Sequence, residues 1–290
     1  MLFAFWCWQR PKPFVDSDLI PDRMQPPLED NAFFTLTKAT NELFWPERLW
    51  DTLDNLCNDR QWDDSLANEV LAKNQACLAW FDSCVERPFA FPPGQAGWDE
   101  EFPYLTAVRR LGQLECLRTA RLFHDGKQKE AFELALKVTE FGHRLENSGG
   151  AGTHFLLGSA IKADGLRRLR LMTAQTSLQE AELIRFLQAL DKLGANRAGL
   201  TNALKLEYQE QCKLLDDIAA GRLQSFGITN SASELTAVSN QAKRVFSADK
   251  TRAKLAQTTR ALLAGIPEPF CRAEWPEYSR AKTVAKAWLQ

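Results

Sequence analysis

From Asn31 onward, apolar side chains recur at three- and four-residue intervals, and no stretch alternates apolar with polar residues as a half-buried strand would. Leu and Ala outnumber Val and Ile in these segments, the preference of helices over strands. The clearest stripes lie in the centre of the chain. Val108, Leu111, Leu114 and Leu117 follow one another at steps of three, and Ala131, Leu134, Ala135, Val138, Phe141 and Leu145 form an apolar face at helical spacing. His124, Asp125 and Gly126 separate the two. The pattern predicts an all-α fold, an irregular array of antiparallel helical hairpins joined by short breaks.

The same reading places a first helix over residues 31–44 and a second start at Trp45-Pro46-Glu47, where Pro suits the first turn and Glu its positive end. It places one helix over residues 63–86 and another over residues 153–173. Ser177 and Glu180 have the spacing of a capping box for a helix that runs to Leu193. Leu200, Ala203, Leu204, Leu214, Leu215 and Ile218 mark the next helix, and Leu235 to Leu263 trace a long one. A last short helix starts at Trp275-Pro276-Glu277. Residues 10–30 carry five prolines and read as an extended connector that links to or wraps around the body. The expected organisation is an N-terminal apolar and Pro-rich segment, 1–30, followed by one helical domain, 31–290.

One hairpin resembles a tetratricopeptide repeat unit. Ala120-Arg121-Leu122-Phe123, Gly126 and Glu130-Ala131 supply the turn glycine and the small residue between helices; no second copy follows at a period near 34. The chain also resembles a group of uncharacterised bacterial all-helical proteins. The residues that carry this likeness are Asn31-Ala32-Phe33 after the Pro-rich lead, Arg87-Pro88 with Phe91-Pro92, and the run from Leu111 to Arg168. The resemblance implies an N-terminal membrane anchor in many members and no particular activity. Here residues 1–8 read MLFAFWCW and are followed by Arg10 and Lys12, like the exit end of a membrane span. Eight residues fall short of the roughly 20 that a helix needs to cross a bilayer. Two readings stand open: the remnant of an anchor, or aromatics tucked onto the body. Localisation is accordingly cytoplasmic or tethered to the inner membrane.

Lys and Arg number 36 against 37 Asp and Glu, a balance that disfavours nucleic acid as a partner. Seven scattered cysteines form no CxxC pair, so neither a zinc ribbon nor a disulfide framework is expected. The chain contains no GxSxG and no HExxH. Glu140 and His143 make a lone Glu-x-x-His, where a di-iron bundle needs two. The loop 147–152, with Gly149, Gly150 and Gly152, precedes a helix and could cradle an anion, but it reads better as a helix–helix turn. No metal and no cofactor is implied.

Two surfaces remain. Glu207 and Gln211 fall on or beside an apolar stripe and require partners if buried, which Arg167, Arg168 or Arg170 could supply. They form a candidate ligand site or a structural polar contact between helices, and the arginines, fanned around a helix axis, read better as a solvated face. Phe91, Trp98 and Phe102 form a candidate partner surface, or a cover over one end of the core. The functional expectation is a non-enzymatic interaction or scaffold protein with a protein partner. A ligand-binding protein or enzyme with a polar cavity near Glu207 is the alternative.

Overall fold

A computed structural model describes residues 15–22, 26–46, 50–57, 60–91, 103–194, 196–220 and 247–266. The described residues are mostly helical and contain no strand. The helices are α1 (Ala32–Asn41), α2 (Trp50–Cys57), α3 (Asp64–Lys73), α4 (Gln75–Cys84), α5 (Pro103–His124), α6 (Gln128–Glu146), α7 (Gly152–Thr173), α8 (Glu180–Leu193), α9 (Arg197–Ala219) and α10 (Ala248–Gly265). The described residues fall into two compact units, one drawn from residues 26–91 and 103–203, the other from residues 15–22, 204–220 and 247–266.

The larger unit is built on α5, α6 and α7. Their apolar stripes meet in one core that includes Leu111, Leu114, Leu117, Val138, Phe141, Leu145 and Ile161, to which α1 adds Phe33 and Leu36 and α4 adds Phe81. Each such side chain contributes about 1.5–3 kcal/mol on burial. A second cluster joins Ala131, Phe132 and Ala135 of α6 to Leu169 and Met172 of α7, covered by Leu183, Phe186 and Leu190 of α8. The α5–α6 turn lies where the sequence put it. Gly126 has φ 77°, a left-handed conformation that favours glycine, and Ala131 is fully buried.

The α6–α7 pair is drawn together by small residues. A Cβ on Gly142 would sit 2.6 Å from the Gly158 carbonyl oxygen and closer still to the Lys162 nitrogen. A Cβ on Gly158 would lie 2.6 Å from the Glu146 nitrogen, and one on Gly165 would collide with Thr139. The clashes at Gly142 and Gly158 are with backbone atoms, which cannot swing aside. Beside the glycines on α7, Ile161 reaches Gly112 of α5, 3.0 Å from an added Cβ.

Polar residues divide what the apolar pattern leaves continuous. The helix expected over residues 63–86 is two helices separated by Asn74. Its side chain accepts from the Phe44 N–H at 2.8 Å and donates to the Phe44 carbonyl at 2.9 Å and the Val70 carbonyl at 2.8 Å. Asn31 caps α1 by accepting from the Phe33 N–H, and it also accepts from the Ala90 N–H and donates to the Ala90 carbonyl. The capping box at Ser177 and Glu180 does not form. The cap position of α8 is Gln179, and the Ser177 hydroxyl and amide both donate to Gln128 Oε1. A side chain reaching across from α6 therefore displaces the local cap. Ser247 is extended and caps α10 through the Lys250 N–H, so the helix traced from Leu235 to Leu263 does not run through residue 247. Residues 235–246, the start at Glu47 and the helix at 275–277 lie outside the described residues.

In the smaller unit, α9 from Leu204 onward packs with α10 around Tyr208, Cys212 and Ala256. Residues 15–20 of the Pro-rich connector wrap this pair. Leu19 is fully buried, the Tyr208 hydroxyl donates to Asp16 at 2.7 Å, and Arg260 donates to both Asp18 oxygens and to the Val15 carbonyl. Among the described residues no helix is long and apolar enough to cross a membrane, and residues 1–8 lie outside them.

Replacement of Gly142 by Ala is expected to lower stability by about 1–3 kcal/mol through overpacking, more than the roughly 1 kcal/mol of helix propensity that Ala gains. The measurement is the urea midpoint of the variant; an unchanged or higher midpoint would contradict the close α6–α7 contact.

Candidate functional site

Two helix faces converge beside the end of α2. On α5, Arg109, Gln113 and Cys116 lie at i, i+4 and i+7; on α7, Asp164, Arg167, Arg168 and Leu171 follow the same rule. With Cys57 they line a polar cleft of about 90 Å³ within the larger unit.

Its charges are held in place. Arg109 donates to Asp164 Oδ2 in a close ion pair, and Arg167 Nη1 lies 3.8 Å from the other Asp164 oxygen. Arg168, only 2% exposed, donates from Nη2 to the Cys57 carbonyl at 2.6 Å. That bond ties the end of α2 to α7. The Cys57 thiol donates to the Gln113 carbonyl at 3.3 Å, which closes the ring of contacts. Burial, reinforced by Asp164, pushes the Cys116 thiol up, so it stays neutral and adds no negative charge.

The structure thus brings Arg167 and Arg168 into one site and leaves Arg170 exposed on another face of α7. Glu207 and Gln211 are half-buried on α9 in the smaller unit. The buried face there is Leu206, Tyr208, Cys212 and Leu215, centred on a tyrosine that an aliphatic stripe does not reveal. Arg109, Gln113, Cys57 and Asp164 escaped the sequence reading. Each had a visible helical spacing within its own segment, but nothing in the chain announces that the two segments face each other.

The other candidates are occupied by structure. Phe91 stacks into an aromatic cluster with Phe33, Phe89 and Tyr104 and lies 3.9 Å from the His154 ring; Trp98 and Phe102 lie outside the described residues. His154 shares a 2.8 Å hydrogen bond with the Tyr104 hydroxyl, and burial pulls its pKa down to about 4. The glycine loop before α7 is filled by these rings, since a Cβ on Gly150 would meet both His154 and Phe91 at 2.6 Å. His143 faces Glu146 and Lys162, whereas Glu140 pairs with Arg144 on the same helix. Among the described residues no group of three or more His, Cys, Asp or Glu is placed to hold a metal.

Glu115 is an unexpected buried acid. It is fully enclosed, with Arg118 at 3.4 Å from Oε2 and no hydrogen-bond partner for Oε1. Burial pushes its carboxyl up to about 8, against the opposing pull of Arg118. The chain matches no family model, no curated protein and no solved structure.

A carboxyl whose pKa is raised on folding binds its proton more tightly in the folded chain than in the unfolded one. Glu115 therefore stabilises most below its ordinary pKa of 4.5, and stability falls as pH rises from there through about 8. Urea unfolding of wild type and Glu115→Gln between pH 5 and 9 should show the wild type losing stability relative to the variant. Parallel curves would show that the carboxyl is not protonated in the fold.

Proposed function

We propose that this chain is a non-enzymatic helical interaction protein that holds a protein partner. The observation that carries the reading is the direction in which its reactive groups are tuned. Burial pushes the Cys77 and Cys84 thiols up to about 12 and about 11 and raises that of Cys116, while it pulls His154 down. A nucleophilic thiol needs a lowered pKa, and a general base needs one near the working pH. Glu115, which does move toward neutrality, is 0% exposed, out of reach of a substrate. These thiols, this imidazole and this carboxyl are spent on packing.

A partner surface of the right kind lies on α8. Leu183, Phe186 and Leu190 face inward, yet the helix has no fully buried residue. Beside them Ile184 and Leu187, one turn apart, are 43% and 59% exposed. An exposed apolar pair on the outer helix of a hairpin array fits an amphipathic partner segment better than it fits water. The polar cleft between α5 and α7 favours a second reading, a small-ligand site. Membrane tethering through residues 1–8 is compatible with either.

Two measurements test the proposal. Thiol titration of the native protein at pH 7.5, mapped by mass spectrometry, should leave Cys57, Cys77, Cys84, Cys116 and Cys212 unmodified until the chain unfolds; rapid native labelling of any of them would count against it. A photo-crosslinking residue at position 187 in native cells should yield a discrete protein adduct, with none from the neighbouring exposed position 188. Equal yields from both positions, or none from either, would remove α8 as the partner surface.

A further inference from the structure

We propose that the groove between α9 and α10 is a docking site for an acidic peptide segment anchored by one leucine, and that residues 15–20 are a strap that fills it until a segment of a partner protein takes their place. The proposal rests on the interaction-protein reading only in taking the partner to be a protein. The groove lies in the smaller unit and is independent of α8.

The strap is held as a peptide ligand is held. A single 3₁₀ turn, closed by the Leu19 N–H donating to the Asp16 carbonyl at 2.8 Å, lets Asp16 and Leu19 both meet Tyr208. Leu19 is fully buried among Tyr208 and Cys212 of α9 and Ala256 of α10. The small side chains of Cys212 and Ala256 leave room for it, and the residue one turn from each reads an acid. Tyr208 donates to Asp16 at 2.7 Å. Arg260 grips Asp18 as a fork, Nε to Oδ2 at 2.8 Å and Nη2 to Oδ1 at 2.7 Å, a geometry that selects direction as well as charge. Ser17, between the acids, is exposed. The recognised pattern is therefore Asp-x-Asp-Leu.

The same contacts make the strap replaceable. Among the described residues no backbone–backbone hydrogen bond joins it to α9 or α10. Instead Gln209 donates to the Leu19 carbonyl at 3.2 Å and Arg260 to the Val15 carbonyl at 2.8 Å, contacts that any peptide backbone can offer. Val15 and Ile20 are 66% and 58% exposed, so one leucine supplies the apolar anchor. The Asp18–Arg260 pair lies at the surface, where ion pairs hold weakly. What keeps the strap in place is its tether, which acts as a local concentration on the order of millimolar for short flexible linkers. A partner segment with further contacts beyond these six residues competes with it.

The test is fluorescence anisotropy of a labelled peptide with the sequence of residues 15–20, titrated with the full chain. Wild type, its groove already filled, should bind weakly. Asp18→Lys sets a lysine against Arg260 at an exposed position and should release the strap without loss of the fold, read by circular dichroism. Leu19→Ser is a second route to release. Either folded variant should bind the peptide about tenfold more tightly than wild type or better, because the tethered competitor is gone. Arg260→Ala added to Asp18→Lys should remove the gain, and a peptide with alanine in place of its leucine should not bind. No tightening in either folded variant, or equal binding of the leucine and alanine peptides, would overturn the groove. A wild-type chain that runs as a dimer and becomes monomeric on addition of the peptide would place a second copy's strap in the groove and overturn the partner. Crosslinking at position 187 reports on α8 alone, so failure of that surface and failure of this one are distinguishable.

Discussion

At Gly142, Gly158 and Gly165 the backbones of α6 and α7 approach until no side chain fits between them, and the arrangement of the larger unit follows from that contact. With α7 pressed onto α6, Ile161, one step along the same face, seats against Gly112 of α5. The residues that follow on α7 are then divided by geometry. Leu169 and Met172 enter the cluster under α8, and Asp164, Arg167 and Arg168 turn to α5. Overpacking by a single methyl would push α7 outward and separate both sets.

Once three helices are packed so tightly, polar groups inside them have few places to go. Arg168 reaches the Cys57 carbonyl, and Asn74 reads both backbone groups of Phe44. Glu146 accepts from Ser159 at 2.8 Å and from Lys162 at 3.3 Å, and Lys162 also donates to the Gly194 carbonyl. Each bond joins a helix to a segment far along the chain. They do what apolar packing, which has no direction, cannot do: fix the loops and the register. Glu115 differs from these: its carboxyl is kept in the core with one oxygen unsatisfied, and its raised pKa is the physical consequence.

The positions of the helices were largely legible because amphipathic periodicity is a local property. The stripe from Ala131 to Leu145 became α6, and Gly126 stands in the turn before it. What misled was a local rule overruled from a distance. Ser177 and Glu180 satisfy the spacing of a capping box, but Gln128 claims the serine. Residues 63–86 read as one helix because Asn74 interrupts no apolar step; its break is set by Phe44, thirty residues earlier. The site was legible only in part. Arg167 and Arg168 stood out as a basic cluster, while Arg109, Gln113 and Asp164 looked like ordinary surface residues.

The sequence by itself determined an all-helical chain with a balanced charge, cysteines in apolar surroundings and an aromatic, Pro-rich N-terminal stretch. These properties follow from residue types and their spacing within a few turns. Only the tertiary structure decided which arginines share a cleft, that Glu207 belongs to a different unit from them, and that Phe91 is part of an aromatic cluster around His154. Such pairings depend on which helix faces meet. In the larger unit those faces were chosen by small residues whose close approach leaves no mark in hydrophobic periodicity.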